Sequence, residues 1–241
     1  MKTVVIGDLH HKTRWVEDFL KSQEPYDEVV FVGDYFDDFG DNAFTATGTA
    51  LWLRESLQHA NRIHLIGNHD LPYALDVWNE LYYCPGYTKE KKAAINDIMT
   101  PMLWDKIVGA YYTQGYLISH AGFDATLVMH PVLGMPTPEE LVKQANIGLL
   151  EARKGNRHKL YLAGYRMATN DIGGIIWSDW NNEYVPIHGI PQIVGHTPGH
   201  GIRTLQVNKE QSDYCVDCNT AMVLVITDGK LSIIRRSQKV S

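Results

Sequence analysis

The chain is poor in cysteine, in positive charge and in long apolar runs, and each shortage excludes a class of protein. Three cysteines among 241 residues are too few, and odd in number, for a disulfide framework. Cys215-Val216-Asp217-Cys218 lacks a second pair to complete a four-thiolate zinc site and reads as reduced strand residues. Lys and Arg number 22 against 28 Asp and Glu, a formal net charge of -6, so nothing draws the whole molecule to a polyanion. Non-specific nucleic-acid binding is therefore not expected. No stretch approaches the ~18 uninterrupted apolar residues of a membrane span, and Asp8 falls where a signal peptide needs its apolar segment. The expectation is a cytoplasmic protein with no membrane partner. There is no GxxxxGK phosphate loop, and Ser119 lacks the preceding Gly-x of a nucleophile elbow.

What is present is a chain long enough for one sizeable domain, 44% hydrophobic, with 11 histidines, several beside glycine. Val4-Val5-Ile6, Val29-Val30-Phe31-Val32 and Ile63-His64-Leu65-Ile66 are short aliphatic or aromatic runs that end at Gly7, Gly33 and Gly67. Their lack of polar alternation suits strands buried on both faces. Between them, Trp15, Val16, Phe19 and Leu20, then Ala50, Leu51, Leu53, Leu57 and Ala60, fall at helical spacing. Strands alternating with helices imply parallel pairing and right-handed crossovers.

From Leu71 to Gly109 the pattern is largely helical, interrupted by Pro72, Pro85-Gly86 and Pro101, and Tyr116-Leu117-Ile118-Ser119 returns to strand. Thr137-Pro138-Glu139-Glu140 opens a helix expected to reach about Arg153. Short strands are then expected at Gly174–Trp177, Gln192–Val194, Thr204–Val207, Met222–Ile226 and Leu231–Ile234, the last two joined by an Asp228-Gly229 turn, with a frayed tail from Arg235. A parallel half followed by a meandering half suggests two sheets packed face to face between helices. One domain spanning 1–241 is expected, with a mostly helical insertion around 71–114 and another around 123–172.

Each buried strand is followed by polar residues: Gly7-Asp8-Leu9-His10, Gly33-Asp34-Tyr35-Phe36-Asp37, Gly67-Asn68-His69-Asp70, Ser119-His120-Ala121-Gly122 and Gly195-His196-Thr197-Pro198. One Gly-Asp after a strand is ordinarily a turn. Five strand ends carrying carboxylate, imidazole or carboxamide groups at one rim point to a metal site, since independent turns have no reason to select these types together. Mixed oxygen and imidazole donors suit Mn²⁺, Fe²⁺, Zn²⁺, Co²⁺ or Ni²⁺. Asp34, on the middle strand, is placed to bridge two ions. Two cations about 3.5–4 Å apart generate hydroxide near neutral pH and clamp the oxygens of an in-line displacement, the chemistry of phosphoester hydrolysis.

The five blocks, in this order across nearly the whole chain, resemble the calcineurin-like metallophosphoesterase superfamily. The Trp177-Ser178-Asp179 and Val216-Asp217-Cys218-Asn219 segments are most similar to its branch of bacterial-type serine/threonine phosphoprotein phosphatases and symmetrical diadenosine tetraphosphate hydrolases. The resemblance implies an α/β protein, a four-layer α/β/β/α sandwich of two packed mixed β-sheets with the metal site at the strand C-terminal ends. It implies that Asp8 and His10 bind a first metal, Asp34 bridges, and Asn68, His120 and His196 bind a second. Pro198 replaces a histidine that many members use as a further ligand to the first metal. His69 would be the general acid, oriented by Asp37, with Asn68 also donating to a phosphate oxygen and metal-bound hydroxide attacking phosphorus directly. Mn²⁺ is the foremost candidate for both ions, with Fe, Zn, Ni, Co or Mg as alternatives.

Departures from the branch bear on substrate. Its arginine after the second block is Asp38 here, the stretch from Trp180 to Gly195 holds no arginine, and the glycine after the first block is His11. Arg14, Arg166 and His11 are the candidates to take over phosphate binding. The implied substrate is a phosphorylated protein, nucleotide or small molecule, hydrolysed in phosphoprotein-phosphatase fashion. A phosphodiesterase or dinucleoside polyphosphate hydrolase shares the same core, and a non-catalytic scaffold is the rival from another class.

Overall fold

A computed structural model of the chain describes residues 1–129, 134–164 and 172–235. The first aliphatic runs form strands β1 (Lys2–Ile6), β2 (Glu28–Phe31) and β3 (Arg62–His64), which pair in parallel, with Val4 beside Val29 and Val30 beside Ile63. Helices α1 (Arg14–Ser22) and α2 (Ala43–Ser56) make the crossovers. The Asn42 side chain starts α2 by accepting from the amides of Phe44 and Thr45, which would otherwise lack helical partners.

Short helices α3 (Leu71–Ala74), α4 (Lys89–Asn96) and α5 (Pro101–Trp104) follow, then strands β4 (Ala110–Thr113) and β5 (Tyr116–Ser119). Next come α6 (Ala125–Val128) and α7 (Pro138–Arg153), the latter opened by a reciprocal Thr137–Glu140 capping box. Strands β6 (Gln192–Val194), β7 (Arg203–Gln206), β8 (Ser212–Cys215), β9 (Met222–Thr227) and β10 (Lys230–Arg235) complete the described chain.

The strands form two mixed five-stranded sheets, ordered β10-β9-β1-β2-β3 and β4-β5-β6-β8-β7. The chain passes from one to the other where the Val108 amide donates to the His64 carbonyl and the Ile66 amide to the Val108 carbonyl. Strand periodicity then sorts the core. Val5, Val30, Val32 and Leu224 meet Ile118, Ile193 and Val216 in one apolar cluster shared by both sheets. The alternate residues Val4, Ile6, Val29 and Phe31 pack instead with Val16 and Leu20 of α1 and Ala46, Ala50 and Leu53 of α2. Ala110 and Leu117 pack with Leu141, Ala145 and Leu149 of α7. Helices therefore flank a pair of facing sheets, the α/β/β/α arrangement expected, and both strand faces are apolar because both are covered.

Several expectations need correction. Gly174–Trp177 is a turn, its amides donating to Leu160, Leu162 and Gly174 carbonyls; a short buried run reads alike in sequence whether turn or strand. The segment from Leu71 to Gly109 holds three short helices and a single 3-10 turn rather than a largely helical stretch, because the prolines divide it. Strand β4 and its Gln114-Gly115 turn, with φ of +47° and +86°, had no counterpart in the expected elements. In α2, Leu53 is fully buried, whereas Leu51 is 40% exposed and Ala60 lies beyond the helix end on the surface. The Asp228-Gly229 hairpin is present, both residues at positive φ. Of the expected tail, Arg235 belongs to β10 and 236–241 lie outside the described residues, as does Arg166.

Leu53→Ala is expected to lower unfolding free energy by about 2–5 kcal/mol, and Leu51→Ala by less than about 0.5 kcal/mol. Urea denaturation of both variants in chelator checks this; equal losses would refute the assignment of the buried helix face.

Candidate metal centre

All five polar blocks lie just past the C-terminal ends of β1, β2, β3, β5 and β6. Four of their residues, His10, Asp34, Asp37 and His196, adopt left-handed backbone with φ of 41°, 51°, 62° and 67°. Such a conformation costs a non-glycine residue of order 1–3 kcal/mol, and Asp and His are among the types that tolerate it best. His10, Asp34 and His196 among them line a shared cavity of about 380 Å³, and Asp37 lies behind His69. Glycine completes the approach, for a Cβ on Gly67 would overlap the Asp34 carboxylate and one on Gly195 that of Asp8.

Two donor groups share Asp34. Donor atoms of Asp34, His120 and His196 lie within 4.8 Å of one another, as do those of Asp8, His10 and Asp34. The Asp34 Oδ2 stands 3.7 Å from His10 Nε2 and 3.4 Å from His120 Nε2. Asn68 Oδ1 sits 2.9 Å from His120 Nε2 and 2.8 Å from His196 Nδ1, while its Nδ2 donates to Cys84 Sγ at 3.2 Å. The Asp8 carboxylate accepts from the His196 amide. All six residues expected to ligate are thus brought to one place.

The surrounding backbone decides which ring atoms face the carboxylate and carboxamide oxygens. His120 Nδ1 lies 2.9 Å from the Val32 carbonyl and His10 Nδ1 2.5 Å from that of Asp37, so in the neutral tautomers these nitrogens carry the proton. Each Nε2 then presents a lone pair toward carboxylate and carboxamide oxygens that also offer only lone pairs. Acceptors facing acceptors need a cation between them, and this donor set of carboxylate, imidazole and carboxamide fits divalent ions of borderline hardness.

Electrostatics agree. Burial and the neighbouring Asp217 carboxylate push the Asp8 carboxyl well up from its ordinary range. Burial acts the same way on Asp34, but the imidazoles of His120, His69 and His10 outweigh it and hold that carboxyl far below its ordinary value. His120 is pushed up to about 9: burial opposes its charge, and Asp34 and Asp8 overcome it. Asp70 acts from behind, accepting from the amides of Asp34, Tyr35 and Gly67 and so fixing the second and third blocks against each other.

His69 lines the cavity, and its Nδ1 is 3.1 Å from Asp37 Oδ2. Burial opposes its charge, yet Asp34 and Asp37 push it up to about 12. His11 points elsewhere: its Nδ1 meets Thr49 Oγ1 at 2.7 Å and its Nε2 meets Asp41 Oδ2 at 2.9 Å, so it does not reach the substrate side. Arg14 is exposed on α1. Among the described residues no lysine or arginine lines the cavity, whose wall includes Trp177, Pro198, Cys84 and Asp217. Cys84, Tyr73 and Lys91 went unread in the sequence; the first carries only a lone thiol, and the last sits in a Lys-Glu-Lys-Lys run that looks like a solvated helix face.

Two sheets between helices, with borderline-cation donors at the strand C-termini, define an α/β sandwich of the metal-dependent hydrolase class. The chain belongs to the calcineurin-like phosphoesterase family, whose profile matches residues 1–200, and this makes it a metallophosphoesterase. Curated proteins give no sequence match. Among solved structures, the cold-active protein-tyrosine phosphatase of a psychrophilic Shewanella species is 18% identical over 97% of this chain and 80% of its own, with a TM-score of 0.57. A metallophosphoesterase from Sphaerobacter thermophilus is 11% identical over 99% of this chain and 89% of its own, with a TM-score of 0.50. At these identities the likeness is one of fold.

Because Asp34 belongs to both donor groups, Asp34→Asn is expected to weaken binding of two Mn²⁺ equivalents, whereas His10→Ala removes only one. Metal analysis after equilibrium dialysis measures this, and two retained equivalents in the Asp34 variant would contradict the shared-ligand geometry.

Proposed function

We propose that the chain is a phosphoester hydrolase with a dinuclear centre, in which Asp8, His10 and Asp34 hold one divalent ion and Asp34, Asn68, His120 and His196 the other. The observation that carries this reading is the pair of donor groups meeting at Asp34. Mn²⁺ suits the mixed donors, as do Fe²⁺, Zn²⁺, Co²⁺ and Ni²⁺, while Mg²⁺ prefers an all-oxygen shell. Bound there, such ions supply Lewis-acid charge that activates water and neutralises phosphate oxygens.

The protein's own groups do the rest. Asn68 uses Oδ1 as a ligand atom, and the second hydrogen on its Nδ2 is directed to a phosphate oxygen. His69 donates Nδ1–H to Asp37 Oδ2 and so keeps the proton on Nε2 for the leaving group. As a water-derived oxygen bonds to phosphorus and the ester P–O bond breaks, that proton passes to the departing oxygen; the proton shed by water restores the imidazole through solvent. Three buried free thiols suit a reducing compartment, and we place the enzyme in the cytoplasm. No helix among the described residues is long and apolar enough to cross a membrane.

A second reading, a diester or nucleotide substrate, is favoured by the cavity wall, which among the described residues offers Asp217 but no lysine or arginine. The Shewanella fold neighbour is named for a monoester reaction on proteins, so phosphotyrosine peptides belong in the same substrate panel as dinucleoside polyphosphates and bis(p-nitrophenyl) phosphate.

Chelator-stripped protein is expected to lose turnover of p-nitrophenyl phosphate or its bis ester and to recover it with Mn²⁺. His69→Ala should keep its metal and lose about 10²–10⁴-fold in turnover. Activity that survives thorough chelation would overturn the proposed function, and loss of metal from the His69 variant would overturn its role as acid.

A further inference from the structure

Asp37 is held by more than its histidine. Its Oδ1 accepts from Tyr73 Oη at 2.6 Å and from Lys91 Nζ at 2.6 Å, and the Gly86 backbone closes so near that a Cβ there would press on the carboxylate. Lys91 comes from α4 and is only 3% exposed. Its ammonium has three hydrogens, and three carboxylate oxygens meet it: Asp37 Oδ1 at 2.6 Å and both oxygens of Asp41 at 2.9 Å. No hydrogen remains for a phosphate, so this cation is not a substitute for the missing arginine. Asp41 is fixed in turn by His11 Nε2, whose ring is tied to Thr49 of α2.

Building on the role of His69 proposed above, we infer that Lys91 is a positioning residue for leaving-group protonation. With Tyr73 it pins Oδ1 of Asp37, so that Oδ2 is the oxygen left for His69 Nδ1 and the imidazole is held with Nε2 toward the departing oxygen. The contact is built from outside the metal centre, by a helix 54 residues along the chain from Asp37. It is unlike a structural ion pair in one respect: its loss affects substrates according to how much their leaving group needs a proton.

The test compares phenyl with 2,4-dinitrophenyl esters of phosphate, as monoesters or methyl diesters according to which the Mn²⁺-loaded wild type turns over. The phenoxide needs a proton to leave and the dinitrophenoxide does not. Lys91→Met is expected to lower kcat for the phenyl ester about 10–100-fold and to leave the dinitrophenyl ester and bound Mn²⁺ nearly unchanged. The ratio of the two rates does not depend on the fraction of folded enzyme, which separates positioning from simple destabilisation. In a His69→Ala background the Lys91 substitution should shift the ratio no further, since both act through one proton. If Lys91→Met does not accumulate, Asp41→Asn, which loosens the anchor of Lys91, should move the ratio in the same direction by less. Equal loss on both esters, an unmoved ratio, or a shift that persists without His69 overturns the inference alone. A wild type inert toward every ester overturns the hydrolase reading and the inference with it.

Discussion

The whole active rim depends on keeping one buried carboxylate ionised, that of Asp34. Taking a carboxylate out of water costs several kcal/mol unless opposite charge and hydrogen bonds surround it. Here Oδ1 accepts from the His69 amide at 3.0 Å, and Oδ2 faces the Nε2 atoms of His10 and His120. Asp8, Asp70 and Asp217 are buried close by, so four carboxyl groups share the region, and imidazoles acting as neutral ligands leave their charge uncompensated. That is the physical reason a donor set of this composition calls for divalent cations, and burial first, then the neighbouring carboxylates, push Asp8 well up and Asp70 to about 7.

Assembling such a site strains the backbone, and the sheets carry the strain. Four left-handed non-glycine residues at the rim together cost several kcal/mol by the usual per-residue range. They persist because all lie within a few residues of strands locked on both faces by aliphatic packing, with Val5, Val30 and Ile193 wholly buried between the sheets. Asp70 ties the second and third strand ends together through backbone amides, so the loops cannot relax independently. Rigid strands with strained ends place ligand atoms with little freedom, which is what pre-organisation of a metal site requires.

The ligand blocks were legible because each is local: a run of apolar residues, a glycine, then the functional side chain, all within a few positions. The parallel strands and α7 were legible for the same reason, since Val4–Ile6 and the Thr137 cap are signals carried by adjacent residues. What could not be read depends on distant partners. Lys91 looks like a solvated lysine until α4 is seen to lay it against Asp37 and Asp41, and His11 looks like a substrate contact until Asp41 and Thr49 are seen to occupy its ring. The Gly174–Trp177 turn misleads in the opposite way. Its apolar residues are buried as a strand's would be, and only the hydrogen bonds to Leu160 and Leu162 distinguish the two.

The same charge pattern bears on which phosphates the site suits. Asp38 stands where the phosphoprotein phosphatase branch has its arginine, and Lys12, the cation nearest to it in the ion-pair pattern, is turned onto it at 3.2 Å. Lys91 is likewise committed to Asp37 and Asp41. Among the described residues, then, Lys12 and Lys91 neutralise the protein's own carboxylates, Arg203 donates to the Thr197 carbonyl, and none of the three lines the cavity. A fixed positive charge about 4 Å from a phosphate oxygen is worth roughly 4 kcal/mol per unit of substrate charge at an effective dielectric of 20. A dianionic monoester gains twice what a monoanionic diester gains from such a group. Withholding it removes that difference, so under the proposed function discrimination between the two is left to the bound ions, to His69 and to the shape of the wall formed by Trp177 and Pro198. A rim of this kind withholds one source of preference for highly charged monoesters, and that is the electrostatic argument for testing diesters and nucleotides under the proposed function.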